Sequence, residues 1–110
     1  MEITTRDYKN ANVIRVTGRV DAGTYAVLEN KIKEYLDDGQ KHLVLEMDGT
    51  EYLSSAGVRV LISTQKTLKS RGGRLAIAQA SERVKDVLLL AGVDVLFPMY
   101  DTTVAALATE

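Results

Sequence analysis

The sequence has 110 residues, of which 45% are hydrophobic, and it carries a formal net charge of -1. A chain of this length is expected to form one domain with a single core, and its balanced charge gives no field to hold nucleic acid or an anionic membrane. The lack of cysteine excludes disulfides, thiolate nucleophiles and sulfur-ligated zinc.

The amino terminus indicates a soluble cytoplasmic protein that opens with a β-hairpin. Its first residues lack the apolar core of a secretory signal, and no later stretch approaches the roughly 20 apolar residues of a membrane span. β-branched residues in 3–8 and 13–20 flank the polar stretch 9–12, which suits a tight turn. Asp21 then stands where a helix cap belongs, and apolar residues recur behind it at helical spacing as far as residues 37–39.

The middle of the chain predicts a buried strand followed by a long helix. Residues 43–45 form a continuous apolar run, typical of a central strand covered on both faces. After a polar loop at 48–51, the segment from Ser55 places apolar residues, Val58 among them, on one helical face. This helix is expected to end at the glycine pair 72–73.

The last third repeats the strand-to-helix pattern. Residues 75–78 predict another buried strand, and Ser81 is expected to cap a helix with an inward stripe that ends at Ala91. Pro98 separates this helix from a short terminal helix near Asp101. The predicted order is β-β-α-β-α-β-α-α, an α/β domain with a mixed sheet, an opening hairpin and about four helices.

Residues 52–59 stand out because they join a buried strand to a helix and put two hydroxyl groups at the helix start. One interpretation is that Ser54 is an N-cap and Ser55 an ordinary first-turn residue, since serine is a leading cap residue. The other interpretation is a functional serine. Position alone does not decide between them.

Other kinds of site fit the sequence poorly. Neither serine lies in a Gly-x-Ser-x-Gly elbow, and His42, the lone histidine, is expected to be a solvated strand-end residue. Gly72 and Gly73 follow a helix and have no Lys-Ser or Lys-Thr pair behind them, unlike a phosphate loop. Acidic residues at 21, 48 and 51 match no calcium loop. We expect no catalytic site, metal or cofactor, and hence not an enzyme.

The stretch Tyr52-Leu53-Ser54-Ser55-Ala56-Gly57-Val58-Arg59-Val60-Leu61 resembles the signature of bacterial anti-sigma factor antagonists, members of the STAS domain family. Residues 18–22 resemble the family's segment leading into the first helix, and residues 43–45 resemble its central strand. The resemblance covers essentially the whole chain, and implies a single STAS-type domain spanning residues 1–110.

This resemblance implies a phosphorylation switch. Ser55 matches the serine that a partner kinase modifies, Ser54 takes a position often held by Asp, and Asp21 matches an acidic position near that site. The unphosphorylated protein is expected to bind an anti-sigma factor, itself a serine kinase, and thereby release a sigma factor. Phosphorylation reverses this, and a serine phosphatase completes the cycle. The expected partner-binding residues are Asp21, Ser54, Ala56, Gly57, Val58 and Arg59.

Two alternatives stay open from the sequence. The first is a STAS domain used as a scaffold or as a transport-associated subunit, in which the serine is incidental. The second is a sensor of a nucleotide or another small molecule that uses the groove around the same loop.

Overall fold

The computed structural model describes residues 1–109; residue 110, where the predicted domain ends, lies outside the described residues. Within that range the chain forms a six-stranded sheet and four α-helices. The strands are β1 (Glu2–Asp7), β2 (Asn12–Val20), β3 (His42–Glu46), β4 (Thr50–Leu53), β5 (Arg74–Ala78) and β6 (Met99–Tyr100). The helices are α1 (Tyr25–Asp37), α2 (Ser55–Ser70), α3 (Glu82–Leu90) and α4 (Thr103–Ala108), with a 3-10 turn at Asp94–Leu96.

The sheet is mixed, and it begins with the predicted hairpin. β1 pairs antiparallel with β2, and the Tyr8 N–H donates to the Ala11 carbonyl at 2.9 Å across the turn. The first residues of β2 pair in parallel with β3, and its last residues, 18–20, pair in parallel with β4. β3 pairs in parallel with β5, and β5 with β6. The α/β class, the mixed sheet and the four helices are confirmed.

The core lies on both faces of the sheet. The larger cluster includes Leu43 and Leu45 of β3 together with buried side chains of α1, α2 and α3. The smaller cluster includes Val44, between those two leucines, and Ala106 of α4. Because successive side chains of a strand point to opposite faces, three helices cover one face and α4 the other. This explains the continuous apolar run in β3.

Two short strands were not predicted. The polar segment at 48–51 was expected to be a loop, yet β4 begins at Thr50, which is buried and donates its hydroxyl to the Val16 carbonyl at 2.8 Å. That bond and the pairing with β2 satisfy the polar groups of Thr50, which therefore fits inside a strand. The two residues of β6 directly follow Pro98 and pair with β5, a strand too short for a sequence pattern.

Two details of the predicted helices were wrong. α1 begins at Tyr25 with Thr24 at its N-cap, so Asp21 is not the cap. Ala91 is exposed beyond the end of α3 and does not belong to its buried stripe. Ser81 does cap α3, since its hydroxyl accepts from the Val84 N–H at 3.3 Å.

The glycine pair after α2 ends the helix, as predicted. Gly72 has a φ of +80°, a conformation that glycine adopts without strain. A Cβ on Gly73 would lie 1.9 Å from the Lys41 carbonyl oxygen, so the next strand can begin there only with glycine. None of the helices among residues 1–109 has the length and apolar character needed to cross a membrane.

Candidate functional site

Ser54 fixes the start of α2. Its hydroxyl accepts a hydrogen bond from the Gly57 N–H at 3.2 Å, which satisfies one of the unpaired donors of the first helical turn. Its own N–H donates to the Val20 carbonyl at 2.8 Å, so the end of β2 and the start of α2 are joined directly. The N-cap role of Ser54 is confirmed.

Ser55 is the first residue of α2, and its side chain is exposed. The first N–H groups of a helix have no acceptor within the helix, and the positive end of the helix dipole lies at the same place. An anionic group on the Ser55 hydroxyl would therefore meet a favourable field. Within residues 1–109, no packing contact makes Ser55 a buried residue.

The next three predicted partner-binding residues differ in exposure. Ala56 is half-buried, whereas Gly57 is buried, and a Cβ on it would lie 2.7 Å from Leu53 Cδ1 and 2.9 Å from Val20 Cγ1. Val58 is 7% exposed and belongs to the larger core cluster. The missing side chain of Gly57 lets α2 approach the sheet, and the buried side chain of Val58 packs in the core, so neither offers a side chain to a partner.

Asp21 lies in a tight turn between β2 and α1. Its carboxylate accepts from the Gly23 N–H at 3.0 Å and lies 3.0 Å from the Thr24 hydroxyl. The hydrogen bond from Thr24, with help from the Gly23 N–H, holds the pKa of Asp21 below its ordinary value. Asp21 directly follows Val20, whose carbonyl accepts from the Ser54 N–H, so the turn that holds Asp21 adjoins the start of α2.

A basic residue borders this turn. Arg19 places its guanidinium 4.4 Å from the centre of the Tyr52 ring, and its Nε lies 3.7 Å from an oxygen of Asp21. The ring and the guanidinium attract each other across this distance. Neither Arg19 nor Tyr52 was singled out as a partner contact, although both lie within the stretches that carry the family resemblance.

Arg59 is exposed one helical turn after Ser55, and it lines a groove of about 260 Å³ between α1 and α2. Residues four apart on a helix lie on the same face, so Ser55 and Arg59 share one side of α2. The other wall of the groove includes Tyr25 and Glu29 of α1. Tyr25, the first residue of α1, is half-buried at the rim of this groove.

The remaining polar candidates lie in other places. His42 is the first residue of β3, whereas Ser55 follows the last residue of β4. Because both strands run parallel to β2, the two residues lie at opposite ends of the strands. Asp48 is paired with Arg15 at 2.6 Å. Among residues 1–109, no group of three or more His, Cys, Asp or Glu side chains is arranged to hold a metal ion.

Sequence and fold are similar to those of known proteins. A family model described as "STAS domain" matches residues 2–106. An anti-sigma F factor antagonist of Paenibacillus polymyxa is 24% identical over 108 residues, which cover 97% of this chain and 92% of that protein. The crystal structure of an anti-sigma factor antagonist from Mycobacterium paratuberculosis has a TM-score of 0.88 and 28% identity, covering 98% of this chain and 92% of that one.

A further solved structure is that of the Bacillus cell fate determinant SpoIIAA in its phosphorylated form. Its TM-score is 0.78, and the match covers 98% of each chain. At 18% identity this likeness concerns the fold alone.

Proposed function

The chain belongs to the STAS domain family, and we propose that it acts as an anti-sigma factor antagonist, a binding module and not an enzyme. In this proposal the unphosphorylated protein binds an anti-sigma factor that is also a serine kinase, and so releases a sigma factor. Phosphorylation of Ser55 ends the binding, and a serine phosphatase restores it. The observation that carries the proposal is the exposed Ser55 hydroxyl at the start of α2.

The proposed contact face is smaller than the set of residues predicted from the sequence. It consists of Asp21, Ser54, Ser55, Ala56 and Arg59, all of which are exposed or half-buried. Gly57 and Val58 contribute by holding the start of α2 against β2 and β4. The face is polar and small, so a single added charge changes its character.

The fold supports modification without large rearrangement. A phosphate on Ser55 adds about -1.5 to -2 charge at the positive end of a 16-residue helix. Unpaired N–H groups of the first turn are available to it, as at other helix starts that hold anions. SpoIIAA in its phosphorylated form has the same fold, which is consistent with a switch at the surface.

The same phosphate opposes binding because it enters a face that already carries a carboxylate. The turn that holds Asp21 adjoins the start of α2, and the pKa of Asp21 is held below its ordinary value, so the added charge joins a face that already has a negative group. A partner fitted to the neutral serine, with no cation of its own opposite this position, would have to desolvate the phosphate at a cost on the order of 3 kcal/mol. This corresponds to a loss of affinity of about 100-fold.

The test compares Ser55→Ala with Ser55→Asp, using calorimetry against the anti-sigma factor and a kinase assay with ATP. We expect Ser55→Ala to bind like the unmodified protein and to accept no phosphate, and Ser55→Asp to bind at least 10-fold more weakly. Ser70 is an exposed serine at the far end of α2, so Ser70→Ala serves as the control and should leave both measurements unchanged. Phosphate on Ser55→Ala would refute the site, and equal binding by the two Ser55 variants would refute the switch.

The alternative functions give different results in the same experiments. A scaffold or transport-associated subunit would bind its partner with equal affinity whether position 55 carries Ser, Ala or Asp. A nucleotide sensor would show saturable nucleotide binding in calorimetry, and this binding would not require the anti-sigma factor.

A further inference from the structure

A second surface lies towards the other end of α2 from Ser55. It is a shallow groove of about 490 Å³, walled by the outer side of α2 and by the 3-10 turn. Two residues of that turn are apolar and yet solvent-exposed, Val95 at 84% and Leu96 at 43%. The lining residues are Ile62, Gln65, Lys66, Lys69, Val95 and Leu96.

Gln65 joins the two walls of the groove through hydrogen bonds. Gln65 is 5% exposed, and its amide group donates to the Leu75 carbonyl at 3.0 Å and to the Leu96 carbonyl at 2.8 Å. Its oxygen accepts from the Leu75 N–H at 2.7 Å. These bonds tie the 3-10 turn to α2 and to β5, and Val95 in that turn is exposed.

The charged side chains that line the groove are both basic, and Asp94, the first residue of the 3-10 turn, lies outside this lining. α2 contains no acidic residue, and its basic residues are Arg59, Lys66 and Lys69. All three are exposed, and the described residues that line the groove include two lysines and no carboxylate. A complementary occupant therefore carries apolar side chains flanked by acidic ones.

The groove also continues the contact face proposed above. Arg59, Ile62 and Lys66 follow one another at three- and four-residue spacing, so they form one stripe along α2. We propose that the groove docks an amphipathic helix of the anti-sigma factor, with apolar residues on Ile62, Val95 and Leu96 and acidic residues beside Lys66 and Lys69. This inference rests on the proposed function, and its contacts are those of a helix lying in an apolar groove.

This contact does not depend on the state of Ser55. Lys66 is 11 residues further along α2, which corresponds to about 16 Å of helix. The Debye length at physiological salt is about 8 Å, so a phosphate on Ser55 is largely screened at the groove. The groove therefore contributes the same binding free energy before and after phosphorylation. The phosphorylated protein still binds its partner, but weakly.

The test measures binding to the anti-sigma factor for Lys66→Glu and Val95→Asp, each in the Ser55 and the Ser55→Asp background. We expect each change to weaken binding about 10-fold, and by the same factor in both backgrounds. Matched controls are Lys9→Glu in the hairpin turn and Val104→Asp on α4, both at exposed positions outside the groove, which should stay within twofold. Thermal melts check that all variants are folded.

Three outcomes overturn the inference: unchanged binding by both groove variants, effects equal to those of the controls, or self-association of the protein that Val95→Asp abolishes. Loss of binding in the groove variants, together with equal binding by Ser55→Ala and Ser55→Asp, would refute the switch and keep the groove. If no anti-sigma factor binds, the probe is a synthetic 14-residue amphipathic helix of leucine and glutamate, followed by NMR. Amide shifts at Lys66, Val95 and Leu96 support the groove, and their absence refutes it.

Discussion

Ser54 and Ser55 are adjacent, but only Ser54 is part of the framework of the helix start. The Ser54 hydroxyl accepts from the Gly57 N–H, whereas the Ser55 side chain is exposed. We expect Ser54→Ala to lower the free energy of unfolding by about 1 kcal/mol, the usual cost of removing an N-cap. Ser55→Ala should change it by less than about 0.5 kcal/mol, as is normal at the surface. Urea unfolding measures both, and equal losses would contradict the division of roles.

The same division shows what the sequence could and could not predict at the site. The residue pattern located a helix start at Ser54 and Ser55, because cap residues and helical periodicity both point there. The sequence assigned Val58 both to the buried face of α2 and to the partner-binding residues. In the structure Val58 is only 7% exposed, so it belongs to the core. Which residues at the start of α2 pack against the sheet, and which face a partner, depends on β2 and β4. The local residue pattern does not contain these strands.

Gly57 allows the start of α2 to lie close to the sheet. The substitution Gly57→Ala tests how strongly this packing constrains the helix. Alanine favours helices over glycine by about 1 kcal/mol, yet a Cβ at Gly57 would lie within 3 Å of Leu53 and Val20. Since both neighbours are buried and cannot move freely, we expect Gly57→Ala to destabilise the protein by about 1–2 kcal/mol. Thermal or urea unfolding measures this change.

Gly23→Ala is the control for that substitution. An added Cβ at Gly23 has its nearest neighbour at 3.5 Å, an ordinary contact distance, so we expect little change in stability. If Gly57→Ala were neutral or stabilising, the close approach of α2 to the sheet would not constrain this position.

At the same level, the long periodic elements were predictable and the short ones were not. The stop of α2 at a glycine pair and the cap of α3 by Ser81 follow from local chemistry that the structure bears out. β4 and β6 depend on pairing with β2 and β5, strands distant in sequence, so polar residues at 48–51 and a proline at 98 suggested loops. Asp21 looked like a cap because it forms a turn of its own just before α1.

Across the whole molecule, one buried carboxylate links the hairpin, the central strand and the terminal helix. Glu46 at the end of β3 has a side chain that is 6% exposed, and its oxygens lie 2.9 Å from nitrogens of Arg6 in β1 and Arg15 in β2. The hydroxyl of Thr103, the first residue of α4, donates to the same carboxylate. These contacts connect α4 to the side of the sheet opposite the other three helices.

This link predicts a pH-dependent stability. The hydrogen bonds from Arg6 foremost, and also from Thr103 and Arg15, outweigh burial and lower the pKa of Glu46 from 4.5 to about 2. A group whose pKa is lower in the folded state stabilises the fold above its unfolded pKa, and this stabilisation is lost as the pH falls through the folded pKa. We expect Glu46→Gln to lower the free energy of unfolding by about 2–3 kcal/mol at pH 7, and this difference from the unmodified protein to shrink between pH 4.5 and 2.

Urea unfolding at pH 7, 4.5 and 2.5 measures this difference. Glu51→Gln, a change at an exposed position on β4, is the control. If the difference stayed constant with pH, the lost stability would come from packing and not from charge.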